Sequence, residues 1–211
     1  MALTRNLSCI AVLLGLASFN SIAAAAAAQS KPDDTEATFI AGVQQKMLEK
    51  YPTAAVAVRA GFFQMTGVDE DATAVYFDHS FRGVDPAHPN FLWFDRHGQL
   101  VGLDYEVPVE SHPRPPGHSA FPVQPGRWTT VRAHVHFAYR VEGGPVQMRG
   151  ARVRDNLTGA SISAAQLHAD GLLPAGARLL WAYYHPTCWD LGFWLIPNPN
   201  GPFAQRNPLV R

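Results

Sequence analysis

The sequence predicts an α+β protein in which N-terminal helices pack on a mainly antiparallel sheet, curled into a barrel or a sandwich. Two patterns carry that expectation. Phe39, Ile40, Val43, Met47 and Leu48 recur at the spacing of one helix face. From Asn90 onward the chain alternates with the two-residue period of a strand, most clearly from Trp128 to Val141.

Taken in order, the chain opens with Arg5 as its positive charge, an apolar run from Leu7 to Phe19 and an alanine tract from Ala23 to Ala28. That order is the order of a secretory signal peptide. The apolar run falls short of the roughly 18 residues a membrane-spanning helix needs. Residues 1–28, Cys9 included, are therefore expected to be a cleaved signal. Residues 29–211 are expected to form a single strand-rich domain outside the cytoplasm, periplasmic or secreted, without a membrane span.

Asp33 and Glu36 stand in capping-box spacing ahead of the first helix. Tyr51-Pro52-Thr53 breaks that helix, and Ala54 to Ala60 restart a second one that Gly61 ends. Phe91 to Asp95 and the run Val101, Leu103, Tyr105, Val107 flank the turn Arg96-His97-Gly98, a hairpin with one buried face and Gly102, Asp104 and Glu106 on the other. Residues 108–125, rich in proline, read as a long surface loop or lid. One strand is then expected from Trp128 to Val141, turning at Gly143-Gly144 into a partner from Val146 to Arg154. Ser163 and Gln166 offer a cap for a short helix that Gly171 closes. Leu179 to Tyr184 and Trp189 to Ile196 complete the strands, ahead of a tail rich in proline and asparagine.

Lys and Arg number 17 and Asp and Glu 17, so no broad field argues for nucleic acid or an anionic membrane. Cys188 is the one cysteine after the signal, which leaves no internal disulfide to make. Stability must come from the core or from a metal.

Three stretches, Ala60-Gly61-Phe62-Phe63-Gln64-Met65-Thr66, Leu100 to Pro108, and Trp189 to Trp194 running into Pro197-Asn198-Pro199-Asn200-Gly201-Pro202-Phe203-Ala204 and Asn207-Pro208, occur in this order. Together they resemble the AGYRQTT-like, LVGVEYxVP-like and NPxGxFAxxNP-like segments of a family of exported bacterial proteins that has no established activity. The resemblance implies export and a shared fold rather than a reaction. The family pattern carries a histidine in the tryptophan-rich strand where Gly192 stands here, so a function resting on that histidine does not carry over.

The sharpest chemical feature is His134-Val135-His136, because a strand puts both imidazoles on one face. Two neutral imidazoles so placed suit a divalent metal of undetermined identity, given a further ligand. His185, His79 and Glu142 are the candidates for that ligand, and Asp104 and Glu106 are carboxylates that neighbouring strands could bring near. Gly126, His134, His136, Glu142 and Gly150, with Pro174-Ala175-Gly176 further on, resemble the cupin metal motifs, although Glu142 comes late and His185 lies too far beyond Gly176. Arg132 or Arg140, on the same strand face, could hold an anionic group of a substrate. The competing reading makes Arg132, His134, His136 and Arg140 a polar, solvent-facing stripe.

Cys188, set among Trp189, Leu191 and Phe193, reads as a small buried apolar residue rather than a nucleophile, and the tryptophans read as core. Two functions stay open at this stage. One is a metal-dependent extracytoplasmic enzyme acting on a small molecule, and the other is a non-enzymatic binding or structural protein associated with an envelope component.

Overall fold

The computed structural model describes residues 31–78, 85–152 and 162–211; the expected signal peptide, Cys9 and His79 lie outside them. Among the described residues no helix is long and apolar enough to cross a membrane.

Helix α1 (Asp34–Lys50) starts where the sequence places it. Asp33 Oδ1 accepts the Glu36 N–H at 2.9 Å, and Glu36 Oε2 accepts the Asp33 N–H at 3.2 Å, the reciprocal capping box. Glu36 does more than cap. Its side chain is 1% exposed and takes Arg127 Nε at 2.9 Å, Arg127 Nη2 at 2.8 Å and the Gln124 N–H at 2.9 Å. The helix start is thereby fastened to the far end of the proline-rich segment. That segment is a strap rather than a lid, because Phe121 and Val123 are buried in the core. Helix α2 (Ala54–Arg59) follows, capped by Thr53.

Among the described residues, nine strands form two antiparallel sheets: β1 (Phe63–Gln64), β2 (Thr73–Phe77), β3 (Phe91–Asp95), β4 (Leu100–Pro108), β5 (Thr129–Val131), β6 (His134–Val141), β7 (Val146–Arg152), β8 (Ala177–His185) and β9 (Cys188–Trp194). The larger sheet runs β1-β2-β3-β4-β9-β5 and the smaller β7-β6-β8. The fold is α+β and sheet-rich. The two sheets stay separate, so the barrel is not closed.

Strand periodicity sorts the larger sheet into two unlike faces. Leu92, Phe94, Leu103, Tyr105, Leu191 and Phe193 form one core with Val43 and Met47 of α1. Trp93, Asp104, Glu106, Cys188 and Asp190 point the opposite way, and this side is covered too. Phe63, Phe77 and Phe91 meet Trp181, Tyr183 and His185 of the smaller sheet at ring centroid separations of 5.9, 4.9 and 5.9 Å. The smaller sheet packs its outer face, Val135, Phe137 and Tyr139, on Leu167 of helix α3 (Ala164–Ala169).

The expected single strand from Trp128 to Val141 is two strands in two sheets. The chain leaves the larger sheet after Val131 and joins the smaller one at His134, while its partner makes the reverse crossing between His185 and Cys188. Pairing keeps one register through this double corner, Val131 opposite Cys188 and then His134 opposite His185. Thr187 Oγ1 accepts the Ala133 N–H at 3.1 Å and joins the two bends. A bent ribbon of this kind lets two sheets share one pair of strands.

Candidate functional site

The double corner decides where the histidines go. A strand that continued straight would leave His134 and His136 on an outer surface, but the bend turns that face of β6 toward the larger sheet. Of the four residues of the expected solvent-facing stripe, Arg132 and Arg140 are exposed, whereas His134 and His136 are half-buried. His134 and His136 bring their Nε2 atoms to 2.8 Å, and the His134 and His185 rings stack with centroids 4.4 Å apart.

Other proposed members of the constellation stand elsewhere. Glu142 is exposed in the turn after β6, at the opposite end of the strand from His134, and so cannot join the cluster. Arg140 shares that distant end, opposite Arg178. His79 lies outside the described residues.

Each ring nitrogen can be assigned a role. The His134 Nδ1–H donates to the Arg132 carbonyl at 2.8 Å, which leaves Nε2 as the unprotonated nitrogen of the neutral ring. His185 Nδ1–H donates to the Pro186 carbonyl at 2.8 Å, and its Nε2 meets Glu106 Oε2 at 2.5 Å. Glu106 is held from behind, where its own N–H donates to the buried Asn90 Oδ1 at 2.9 Å. His136 is the odd member. With Nε2 facing His134, its buried Nδ1 has no hydrogen-bond partner. Gly150, directly opposite on β7, leaves that nitrogen room, since a Cβ there would sit 3.4 Å from it.

Charge follows these contacts. Burial, then the neighbouring imidazoles, pushes His136 down to about 3, and burial with His185 lowers His134, so both are neutral at physiological pH. For His185, burial alone would lower the value, but the hydrogen bond and charge of Glu106 outweigh it and raise the imidazole.

The carboxylates sharing this interior obey the same physics. Trp93 Nε1–H donates to Asp104 Oδ2 at 2.5 Å, and Thr129 Oγ1 donates to Asp190 Oδ2 at 3.3 Å. Burial, then the charges of Asp190 and Glu106, lifts Asp104 well above the carboxylate range. Burial and the Glu106 charge push Asp190 up to about 8. Gly192 makes room beside them, because a Cβ at that position would sit 2.2 Å from Asp104 Oδ1 and force a shift.

Three residues converge as a potential ligand set. Among the described residues, Glu106, His185 and Cys188 place one donor atom each within 4.8 Å of one another. At 6%, 1% and 0% exposure they are sealed between the sheets, and the group could hold a metal ion. His134 and His136 lie beside this group rather than completing a three-histidine set with His185.

Cys188 is not the nucleophile of a cysteine-histidine pair. Both nitrogens of His185 are engaged by oxygen, and burial, with the Glu106 and Asp190 charges, pushes the thiol up and away from thiolate.

Sequence reasoning noticed Glu106 only as a nearby carboxylate and took Cys188 for core. The available signal was three acids, Asp104, Glu106 and Asp190, inside strands otherwise made of aromatic and aliphatic residues. No family model, no curated protein and no solved structure matches this chain, so its functional reading comes from these residues alone.

Proposed function

We propose that this is an exported metalloprotein, periplasmic or secreted, that holds one transition-metal ion between its two sheets on Glu106, His185 and Cys188. The observation that carries this reading is the convergence of an oxygen, a nitrogen and a sulfur donor in a sealed interior. A mixed set of this kind suits zinc first, which accepts all three donor types and imposes no redox demand. His134, stacked on His185, stands beside this set with an unprotonated Nε2 that faces His136 Nε2 at 2.8 Å.

A cation would also resolve the electrostatics. Three carboxyl groups and a thiol crowd this space, and a bound cation deprotonates a coordinating thiol and favours the carboxylate forms. Metal affinity would then rise with pH, because protons leave as the metal enters.

Zinc held on these three ligands with its remaining position open would supply an activated water, so a metal-dependent hydrolytic reaction on a small molecule is the activity we attach to it. The non-enzymatic alternative has its own support: His185 already has an oxygen partner on each nitrogen, so a proton shared with Glu106 satisfies the site without an ion.

Elemental analysis of the protein, purified without a histidine tag, separates the two. Near-stoichiometric metal in the wild type, lost in Cys188→Ser and in Glu106→Gln, supports the metal reading. Absence of metal after reconstitution with zinc, in protein whose circular dichroism matches a folded sheet, removes it.

A further inference from the structure

At the corner where β5 gives way to β6, a groove of about 650 Å³ is lined by Thr130, Val131, Arg132, His134, Gly150 and Arg152, with Ala151 between the last two. Arg152 pairs directly with His134 across β6 and β7, so the two side chains leave the sheet on the same face. Arg132 stands at the bend itself, and its carbonyl holds the His134 ring. Both arginines are exposed, and among the described residues neither has a carboxylate partner. Gly150, two residues before Arg152 on the same face of β7, leaves the neighbouring floor of the groove free of a side chain, over the buried, unpartnered Nδ1 of His136.

We infer that this groove binds a small molecule through an oxyanion, a carboxylate or a phosphate, held between Arg132 and Arg152 with the rest of the molecule directed at His134. Guanidinium groups present a planar fork of donors that matches such an anion bidentately. The chain as a whole is neutral, so the preference is local to the groove rather than a property of the surface field. The inference deepens the metal-site reading by naming the ligand class that would reach it, while anion capture itself needs no metal.

The test measures binding of inorganic phosphate and of succinate, by calorimetry, to chelator-treated protein and to zinc-loaded protein. Saturable millimolar or tighter binding is expected in the chelator-treated form. It should weaken roughly tenfold for Arg132→Gln and again for Arg152→Gln, and be abolished by Gly150→Val, which fills the groove. Arg140→Gln, an equal change of charge at the distant end of β6, should leave it unchanged. Preference for phosphate over succinate, or the reverse, assigns the anion.

Binding that tolerates the Arg132→Gln/Arg152→Gln double change, that falls equally with Arg140→Gln, or that fails to saturate for both anions overturns the inference. A chain that binds no metal yet shows the arginine-dependent affinity retains the groove and loses only the metal site.

Discussion

The two faces of the six-stranded sheet are built from the same strands and have opposite chemistry. Toward α1, Leu103, Tyr105, Leu191 and Phe193 make a dry core closed at its rim by one ion pair, Glu36 with Arg127, in which each carboxylate oxygen is bonded. Toward the smaller sheet, the alternate residues of those strands bury Glu106 and Cys188 and half-bury Asp104 and Asp190, and Asp190 Oδ1 and, across from it on β6, His136 Nδ1 have no hydrogen-bond partner. An orphaned buried polar group costs about 1–3 kcal/mol, and the helix face carries one, Trp128 Nε1. The inter-sheet face accepts that cost at two atoms, beside the group that could hold a metal. What distinguishes the inter-sheet face is its gathering of carboxyl groups, a thiol and imidazoles, where the helix face is aromatic and aliphatic.

The largest effects should come from the helix face. Phe193→Ala, at a position with 0% exposure, is expected to cost about 3–5 kcal/mol in urea unfolding. Glu36→Ala should match it at about 3–5 kcal/mol, since it removes the carboxylate that pairs with the buried Arg127. A loss under 1 kcal/mol for both would show that this face is not what holds the fold. On the opposite face, zinc at about a hundredfold above its dissociation constant should stabilise the wild type by about 2.7 kcal/mol and leave Cys188→Ser unmoved. Equal responses in thermal melts would place the metal elsewhere.

Smaller changes sharpen the contrast within the polar layer. Gly192→Ala is expected to cost about 1–3 kcal/mol by driving a methyl into Asp104, and adding Asp104→Ala should recover part of that loss. Gly150→Ala, whose Cβ would meet His136 at 3.3 Å, should cost less than Gly192→Ala.

The smallest effect is one of pH. Burial would raise Glu36, but the hydrogen bonds from Arg127 and the Gln124 N–H, with the charge of Arg127, outweigh it and hold the carboxyl below its ordinary 4.5. Stability from this pair is therefore fully present above that pH and is lost as pH falls through the lower folded value. Glu36→Gln should show a shallower decline of stability with acid than the wild type does. An unchanged slope would mean that other groups govern acid unfolding.

Much of the architecture was legible in the residues. The capping box at Asp33 and Glu36, the hairpin turning at Gly98 and the short helix after Ser163 all rest on local signals, and each forms at its expected place. Alternation also assigned Leu103 and Tyr105 to a buried face correctly. It failed for the opposite face, since polar residues in a two-residue period look alike whether water or a second sheet covers them. Glu142 was an error of the same origin: nearness in sequence to His136 says nothing once an extended strand carries the two apart at about 3.3 Å per residue.

What the sequence determined by itself was the set of local preferences: helices near the start, short antiparallel strands after them, and His134 and His136 on one side of a strand. Only the tertiary structure decided that this side looks inward, that Glu106 and Cys188 stand beside His185, and that the proline-rich segment is strapped to α1 by Arg127. The physical reason is the bend between Val131 and His134. It depends on two crossing strands, 54 residues apart at Ala133 and Thr187, fixing one another's direction, and neither strand carries that information alone.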